Sequence, residues 1–146
     1  MTKETILLVE DNISDIELTK RAFAKACVPN QLIVAENGQE ALDFLFQRAR
    51  EDSINLSYLP AMVLLDLKLP GMDGLEVLKT IRNTSPIKQL PIIILSSSKE
   101  ACDITNCYNY GANSYICKPI DFNQFIETMQ QVCKYWLTIN QNPNRN

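Results

Sequence analysis

Five short apolar runs, alternating with segments of helical periodicity, place the strongest limit on how this chain can fold. The runs are rich in Ile, Val and Leu, as expected for strands that are covered on both faces. They are Thr5–Val9, Gln31–Ala35, Met62–Leu65, Ile92–Leu95 and Ser114–Cys117. A fivefold strand–helix alternation predicts a parallel sheet with helices on both faces and right-handed crossovers. We therefore predict an α/β doubly wound sheet with strand order 2-1-3-4-5, whose switch point lies between the first and third strands.

The helical segments differ in how clearly they are patterned. The last one carries apolar residues at helical spacing from Phe122 to Trp136, and Asp121 with Gln124 resembles a capping box at its start. The fourth, Lys99 to Tyr110, is weakly patterned. The segment Lys134–Asn140 is expected either to extend the last helix or to add a strand-like arm.

Size, charge and hydropathy indicate one globular domain. The chain has 146 residues and a formal net charge of −3, and its Lys and Arg residues are scattered, which argues against a nucleic-acid-binding surface. We predict one domain over residues 1–139 and a polar tail over 140–146. No apolar stretch approaches the roughly 18 residues of a membrane span, and the N-terminus lacks the apolar region of a signal peptide. We therefore expect a cytoplasmic protein that does not contact a membrane and carries no separate effector domain.

Charged side chains follow three of the predicted strands at their carboxyl ends. Glu10 and Asp11 follow the first strand, Asp66 follows the third, and Lys118 follows the fifth. Ligands of doubly wound sheets bind outside the carboxyl ends of the strands at the switch point, so we expect these groups to meet in one crevice.

Three carboxylates in one crevice call for a cation. Two like charges about 5 Å apart repel by roughly 3 kcal/mol at an effective dielectric of about 20, which favours a bound divalent ion. The chain has no histidine, and its five cysteines include no CxxC pair, so the candidate ligands are hard oxygens and Mg²⁺ fits best. The same acids would repel the phosphate of a flavin, which argues against a flavodoxin-type cofactor site.

Four motifs, taken together and in this order, resemble the response-regulator receiver family over nearly the full length of the chain. They are ILLVEDN at the start, LLDLKLPGMDG around Asp66, IILSSS around Ser96, and SYICKP around Lys118. The resemblance implies a flavodoxin-like receiver fold. It also implies that Asp66 accepts a phosphoryl group from the phosphohistidine of a histidine kinase or of a phosphotransfer protein.

The resemblance further implies a metal-ligand set. Asp11, Asp66 and the backbone carbonyl of Lys68 would hold Mg²⁺, and Glu10 would contribute through water. Lys68 departs from the short residue often found at its position. Coordination through a carbonyl should survive that change, although a long cation beside the phosphate could alter reaction rates. The structural alternative is that Asp11, next to Asn12, only caps the first helix.

Three more residues would respond to the phosphate. Lys118 would pair with the Asp66 carboxylate and then with the phosphoryl group, and the bond to Pro119 resembles a cis X-Pro bond of the family. Ser96 would donate its hydroxyl to a phosphate oxygen, and Tyr115 would change rotamer when Ser96 moves. The structural alternatives are that Ser96 is a loop hydroxyl in a serine run and that Tyr115 only packs in its strand.

Finer features resemble the stand-alone response regulators that are paired with cyanobacterial phytochromes. They are the long connection Arg48–Leu59, the DLKLP form of the phosphoacceptor motif and the extended C-terminal segment. That resemblance implies a phytochrome histidine kinase as partner, a role in light signalling, and a homodimer through the face of the fourth helix, fifth strand and fifth helix. The simpler alternative is that the long connection is an insertion.

Two other functions use the same residues. A Mg²⁺-dependent phosphatase-like enzyme with an aspartyl-phosphate intermediate would want a second acid two residues after its nucleophile, where Lys68 stands. A pseudo-receiver that serves only as a binding scaffold would not need the intact acidic set. We expect a signalling protein rather than an enzyme, with output through altered protein contacts.

Overall fold

Strands and helices alternate through the chain, as the sequence predicts. The computed structural model describes residues 5–26, 28–51, 59–119 and 121–142. Its elements are β1 Thr5–Val9, α1 Ile13–Lys25, β2 Gln31–Ala35, α2 Gly38–Glu51, β3 Met62–Leu65, α3 Gly74–Arg82, β4 Ile92–Ser96, α4 Ala101–Asn109, β5 Ser114–Cys117 and α5 Phe122–Lys134. The five strand predictions are confirmed, with β4 one residue longer than expected.

The sheet is parallel and has the order β2-β1-β3-β4-β5, which confirms the predicted doubly wound fold. Val9 at the end of β1 lies opposite Ala35 of β2 and Leu65 of β3. The carboxyl ends of the three strands are therefore level, and residues that follow them emerge at the same edge of the sheet.

Alternate residues of the strands build two separate cores. Leu7 and Val9 belong to the core covered by α2, α3 and the buried Cys107 of α4. Ile6 and Leu8 belong to the core on the other face, which α1 and α5 cover. Burying both faces of β1 in this way explains why its sequence is continuously apolar rather than alternating.

Polar side chains cap the starts of α1, α3 and α5. The Asn12 side chain accepts from the Asp15 backbone N–H at 3.1 Å and caps α1, so Asp11 is not the N-cap. Asp73 caps α3 in the same way. The Asp121 side chain caps α5 by accepting from the Asn123 backbone N–H at 3.2 Å, where the capping-box pattern pointed to residue 124.

Burial and backbone geometry explain the two segments whose sequence pattern is weak or allows two readings. In α4, which is shorter than the predicted 99–110, only Cys107 is buried, and this explains the weak apolar pattern. A π-helical turn, Tyr135–Ile139, continues α5, so the helical alternative for the C-terminal segment is confirmed and the strand-like arm is wrong.

The long connection before β3 begins as the last turn of α2. Its residues 52–58, together with Cys27 and residues 143–146, lie outside the described residues. Among the helices that are described, none is both long and apolar enough to cross a membrane.

Candidate functional site

Backbone hydrogen bonds carry the strand ladder one residue beyond β1 and β3, into the acidic residues. The Glu10 N–H donates to the Ala35 carbonyl at 3.0 Å, and the Asp66 N–H donates to the Val9 carbonyl at 3.1 Å. Glu10, Asp11 and Asp66, here called the acidic triad, each offer a carboxylate oxygen, and these oxygens all lie within 4.8 Å of one another. The predicted convergence of three carboxylates at the switch point is confirmed.

The acidic triad runs from a buried floor to an open side. Glu10 is 3% exposed and Asp66 is 9% exposed, whereas Asp11 is exposed. Burial and a side-chain hydrogen bond with Asp66 raise the pKa of Glu10 to about 7, although Lys118 acts in the opposite direction. Clustered carboxylate oxygens, of which the buried Glu10 resists ionisation and Asp11 faces solvent, suit a hard divalent cation.

Lys118 enters the same cluster from the end of β5. Its ammonium donates to Glu10 Oε1 at 2.7 Å and to Asp15 Oδ2 at 3.0 Å, while Asp66 Oδ2 is 3.7 Å away. Burial disfavours the charged form, but the hydrogen bonds to Glu10 and Asp15 outweigh it, so the pKa of Lys118 is raised. The predicted pairing of Lys118 with Asp66 is therefore the longest of the three ion pairs that Lys118 makes.

Asp15 is a site residue that sequence reasoning missed. It lies in the first turn of α1, three residues after the cap Asn12, where an acidic residue is common for helix-dipole reasons alone. Only the fold shows that this turn faces the end of β5. Asp15 is not among the acidic residues at strand ends, because it lies on a helix, so the strand-end pattern does not predict it.

Ser96 and Tyr115 both contact Ser98, a second residue that the sequence did not single out. Ser96 is 1% exposed, and its hydroxyl oxygen accepts from the Ser98 N–H at 3.1 Å. The Tyr115 hydroxyl donates to the Ser98 carbonyl at 2.9 Å, and its ring packs against the α2–α3 core. Ser98 in turn donates to Asp103 of α4 at 2.5 Å. The predicted switch residues are thus joined to α4 through one loop serine, while a rotamer change in Tyr115 stays a prediction.

The loop between β3 and α3 shapes the open side of the site. The Lys68 N–H approaches Asp66 Oδ1 at 3.4 Å, and Lys68 lines a cleft of about 570 Å³ that extends towards α4. A Cβ atom at Gly74 would overlap the Asp66 carbonyl oxygen and lie 2.8 Å from Leu67 Cα, so only glycine allows α3 to begin this close to β3. The role of the Lys68 carbonyl as a metal ligand stays a prediction.

One backbone prediction at the site is wrong. The bond between Lys118 and Pro119 is not cis, and within the described part of the chain the cis peptide bond is Ser85–Pro86. Lys118 reaches the crevice without it, since its backbone N–H donates to the Ser96 carbonyl at 2.7 Å and extends the β4–β5 ladder.

Comparison with known proteins decides the family. Residues 6–130 match the family model of the response regulator receiver domain. The chain belongs to this family. The receiver domain is 37% identical over 94% of its length to FilR2 of Methanothrix harundinacea (strain 6Ac), described as a "probable methanogenesis regulatory protein", and it covers 86% of that protein.

Two further relatives are response regulators with solved structures. Response regulator Rcp1 of Synechocystis sp. is 31% identical over 92% of this receiver domain and 89% of Rcp1. The crystal structure of the Mn²⁺-bound form of Rcp1 aligns with a TM-score of 0.80 at 29% identity over 96% and 99% of the two chains. The phosphorylated cyanobacterial phytochrome response regulator RcpA aligns with a TM-score of 0.85 at 33% identity over 97% and 99%. The predicted family and receiver fold are therefore confirmed.

The raised pKa of Glu10 predicts how metal binding should depend on pH. A proton held by Glu10 competes with a bound cation, so the affinity of this receiver domain for a divalent cation should rise about tenfold between about pH 6 and about pH 8. Isothermal titration at several pH values measures this. Glu10→Gln removes the titrating group and should flatten the dependence, whereas an equally steep dependence in that variant would contradict the assignment.

Proposed function

We propose that this receiver domain accepts a phosphoryl group on Asp66, with Mg²⁺ held by the acidic triad and the Lys68 carbonyl. The observation that carries the proposal is the position of Asp66, whose carboxylate lies among the triad oxygens and 3.7 Å from the Lys118 ammonium. A nucleophile, an oxygen-rich cation site and a neighbouring ammonium group are the parts that phosphoryl transfer needs, because its catalysis is mostly positioning and charge stabilisation.

The transfer step follows from the chemistry of the carboxylate. An Asp66 carboxylate oxygen attacks the phosphorus of a phosphohistidine in line with the bond from phosphorus to the imidazole nitrogen. That bond breaks, its electron pair stays on the nitrogen, and the histidine later takes up a proton. Mg²⁺, when bound, neutralises charge on the phosphoryl oxygens. Lys118 and Ser96 then supply an ammonium and a hydroxyl donor to the product.

Phosphorylation is proposed to change contacts made by α4 and β5. The new group adds negative charge and acceptor oxygens beside Ser96. Drawing the Ser96 hydroxyl towards a phosphoryl oxygen would disturb its hydrogen bond with Ser98, which also holds Tyr115 and Asp103. A two-state rearrangement of that loop would therefore reach α4 directly. Signalling through altered protein contacts is the output we propose, in a protein that acts in the cytoplasm and is not an enzyme of metabolism.

The phosphoryl donor we propose is a sensor histidine kinase of the phytochrome class, by analogy with RcpA and Rcp1. Two arms test this together with the chemistry. Acetyl phosphate with Mg²⁺ should give one labile phosphoryl adduct by intact-mass measurement. A radiolabelled, autophosphorylated phytochrome kinase should lose label to this chain. If acetyl phosphate gives the adduct but the kinase transfers no label, only the phytochrome pairing is rejected. If neither donor gives an adduct, the phosphoacceptor function is rejected.

We also propose that the α4–β5–α5 face forms a homodimer. Tyr108 of α4 and Tyr110, which directly follows that helix, are 49% and 44% exposed, and large exposed aromatics are enriched where proteins associate. Sedimentation velocity over a range of concentrations should show a dimer that Tyr108→Ser and Tyr110→Ser together weaken by at least about tenfold. A monomer at all concentrations, with and without phosphorylation, would contradict this proposal.

A further inference from the structure

Asp15 contacts the ammonium of Lys118 although it belongs neither to the acidic triad nor to a strand end. Its Oδ2 lies 3.0 Å from Lys118 Nζ, and 37% of its side chain is exposed. The backbone of this turn is held in place, because the Asp15 N–H donates to the Asn12 side chain and its carbonyl accepts from Thr19 Oγ1 at 2.8 Å. The carboxylate is therefore presented from a fixed helical turn.

Lys118 is in turn restricted by its own surroundings. Its side chain is 17% exposed, and its backbone N–H is bonded to Ser96. Two of the three ammonium donors point at Glu10 and Asp15, at 2.7 and 3.0 Å. Asp66 Oδ2, at 3.7 Å, lies beyond hydrogen-bonding distance. The ammonium is thus held at the α1 side of the crevice, displaced from the proposed phosphoacceptor.

We propose that Asp15 is a positioning residue that holds the Lys118 ammonium away from Asp66 until a phosphoryl group arrives. Within the proposed function, the Lys118 contact with the phosphoryl group must replace its contact with Asp15. A phosphoryl group carries more charge than one carboxylate and competes successfully for the ammonium. Asp15 therefore opposes the phosphorylated arrangement, and its effect should operate through Lys118.

Spectroscopy of the metal-free protein tests the contact itself. The Cε–Hε signals of Lys118 should shift in Asp15→Asn. Glu17→Gln is the matched control, because it removes one acid from the same helix, where Glu17 pairs with the exposed Lys20 at 3.7 Å. Equal Lys118 shifts in the two variants, or no shift in Asp15→Asn, would overturn the proposal. This result does not depend on phosphorylation.

Binding of beryllofluoride, a phosphoryl mimic, in the presence of Mg²⁺ tests the competition. Asp15→Asn should bind it about fivefold more tightly than the wild type, the size of one partly exposed ion pair. In a Lys118→Ala background the same substitution should have no more effect than Glu17→Gln, since a double-mutant cycle isolates the Asp15–Lys118 coupling. An undiminished gain in that background would show that Asp15 acts by charge alone and would overturn the proposal. Failure of the wild type to bind beryllofluoride would refute the proposed function, while the Lys118 signals would still decide the contact. Urea unfolding confirms that each variant is folded.

Discussion

Asp66→Asn is expected to abolish the phosphoryl adduct that acetyl phosphate or a kinase forms on the wild-type chain. An amide has nearly the same shape as a carboxylate, but it carries no negative charge and is not a nucleophile at phosphorus. The measurement is intact mass after incubation with acetyl phosphate and Mg²⁺. The same change should stabilise the metal-free protein, because Asp66 is a like charge beside Glu10 and raises the pKa of that carboxyl.

Asp73→Asn is the matched control for this change. Asp73 lies in the same loop and caps α3 through Oδ1, which accepts from the Glu76 N–H at 2.9 Å. Asparagine caps helices about as well as aspartate, so the control should stay folded and form the adduct at the wild-type level. A full adduct on Asp66→Asn would contradict the assignment of the phosphoacceptor.

Lys118→Ala is expected to lower the free energy of unfolding by about 3 kcal/mol when no divalent cation is present, the cost of leaving a buried charge without its partner. The substitution removes the cation that is 2.7 Å from the buried Glu10 and within 3.7 Å of Asp66. Urea unfolding at neutral pH measures the loss. Mg²⁺ should restore part of the stability, because it would supply positive charge to the same oxygens.

The loss should also depend on pH, with a definite sign. The pKa of Glu10 is raised to about 7 in the folded protein, so protonation at lower pH favours the folded state and should make the Lys118→Ala penalty smaller. Lys20→Ala is the control, since its pair with Glu17 is exposed and should contribute less than about 1 kcal/mol. Equal, small losses in the two variants would show that Lys118 does not hold the cluster together.

The sheet and the acidic triad could be predicted from the sequence for one shared reason. A strand buried on both faces must be continuously apolar, so its end is marked by the first charged residue, and parallel order brings those ends to one edge. Glu10 and Asp66 are such residues, and the ladder bonds that continue past Val9 and Leu65 place them side by side.

The contacts of Lys118 could not be predicted in the same way. Which of several carboxylates an ammonium approaches depends on side-chain reach and on how α1 packs against α5, and neither leaves a periodic signal. Asp15 and Ser98 were missed for this reason, since each lies at an ordinary helix-start or loop position. The cis bond before Pro119 was expected from family resemblance alone and is not present.

Borohydride trapping tests the central claim most directly, because hydride reduces an acyl phosphate on aspartate to the alcohol of homoserine and leaves unmodified carboxylates unchanged. The wild-type chain, phosphorylated with acetyl phosphate and Mg²⁺, is reduced, digested and sequenced by tandem mass spectrometry. We predict homoserine at position 66 and at no other aspartate. Homoserine at Asp11 or Asp73 with an unmodified Asp66, or phosphate retained on a serine, would contradict the account.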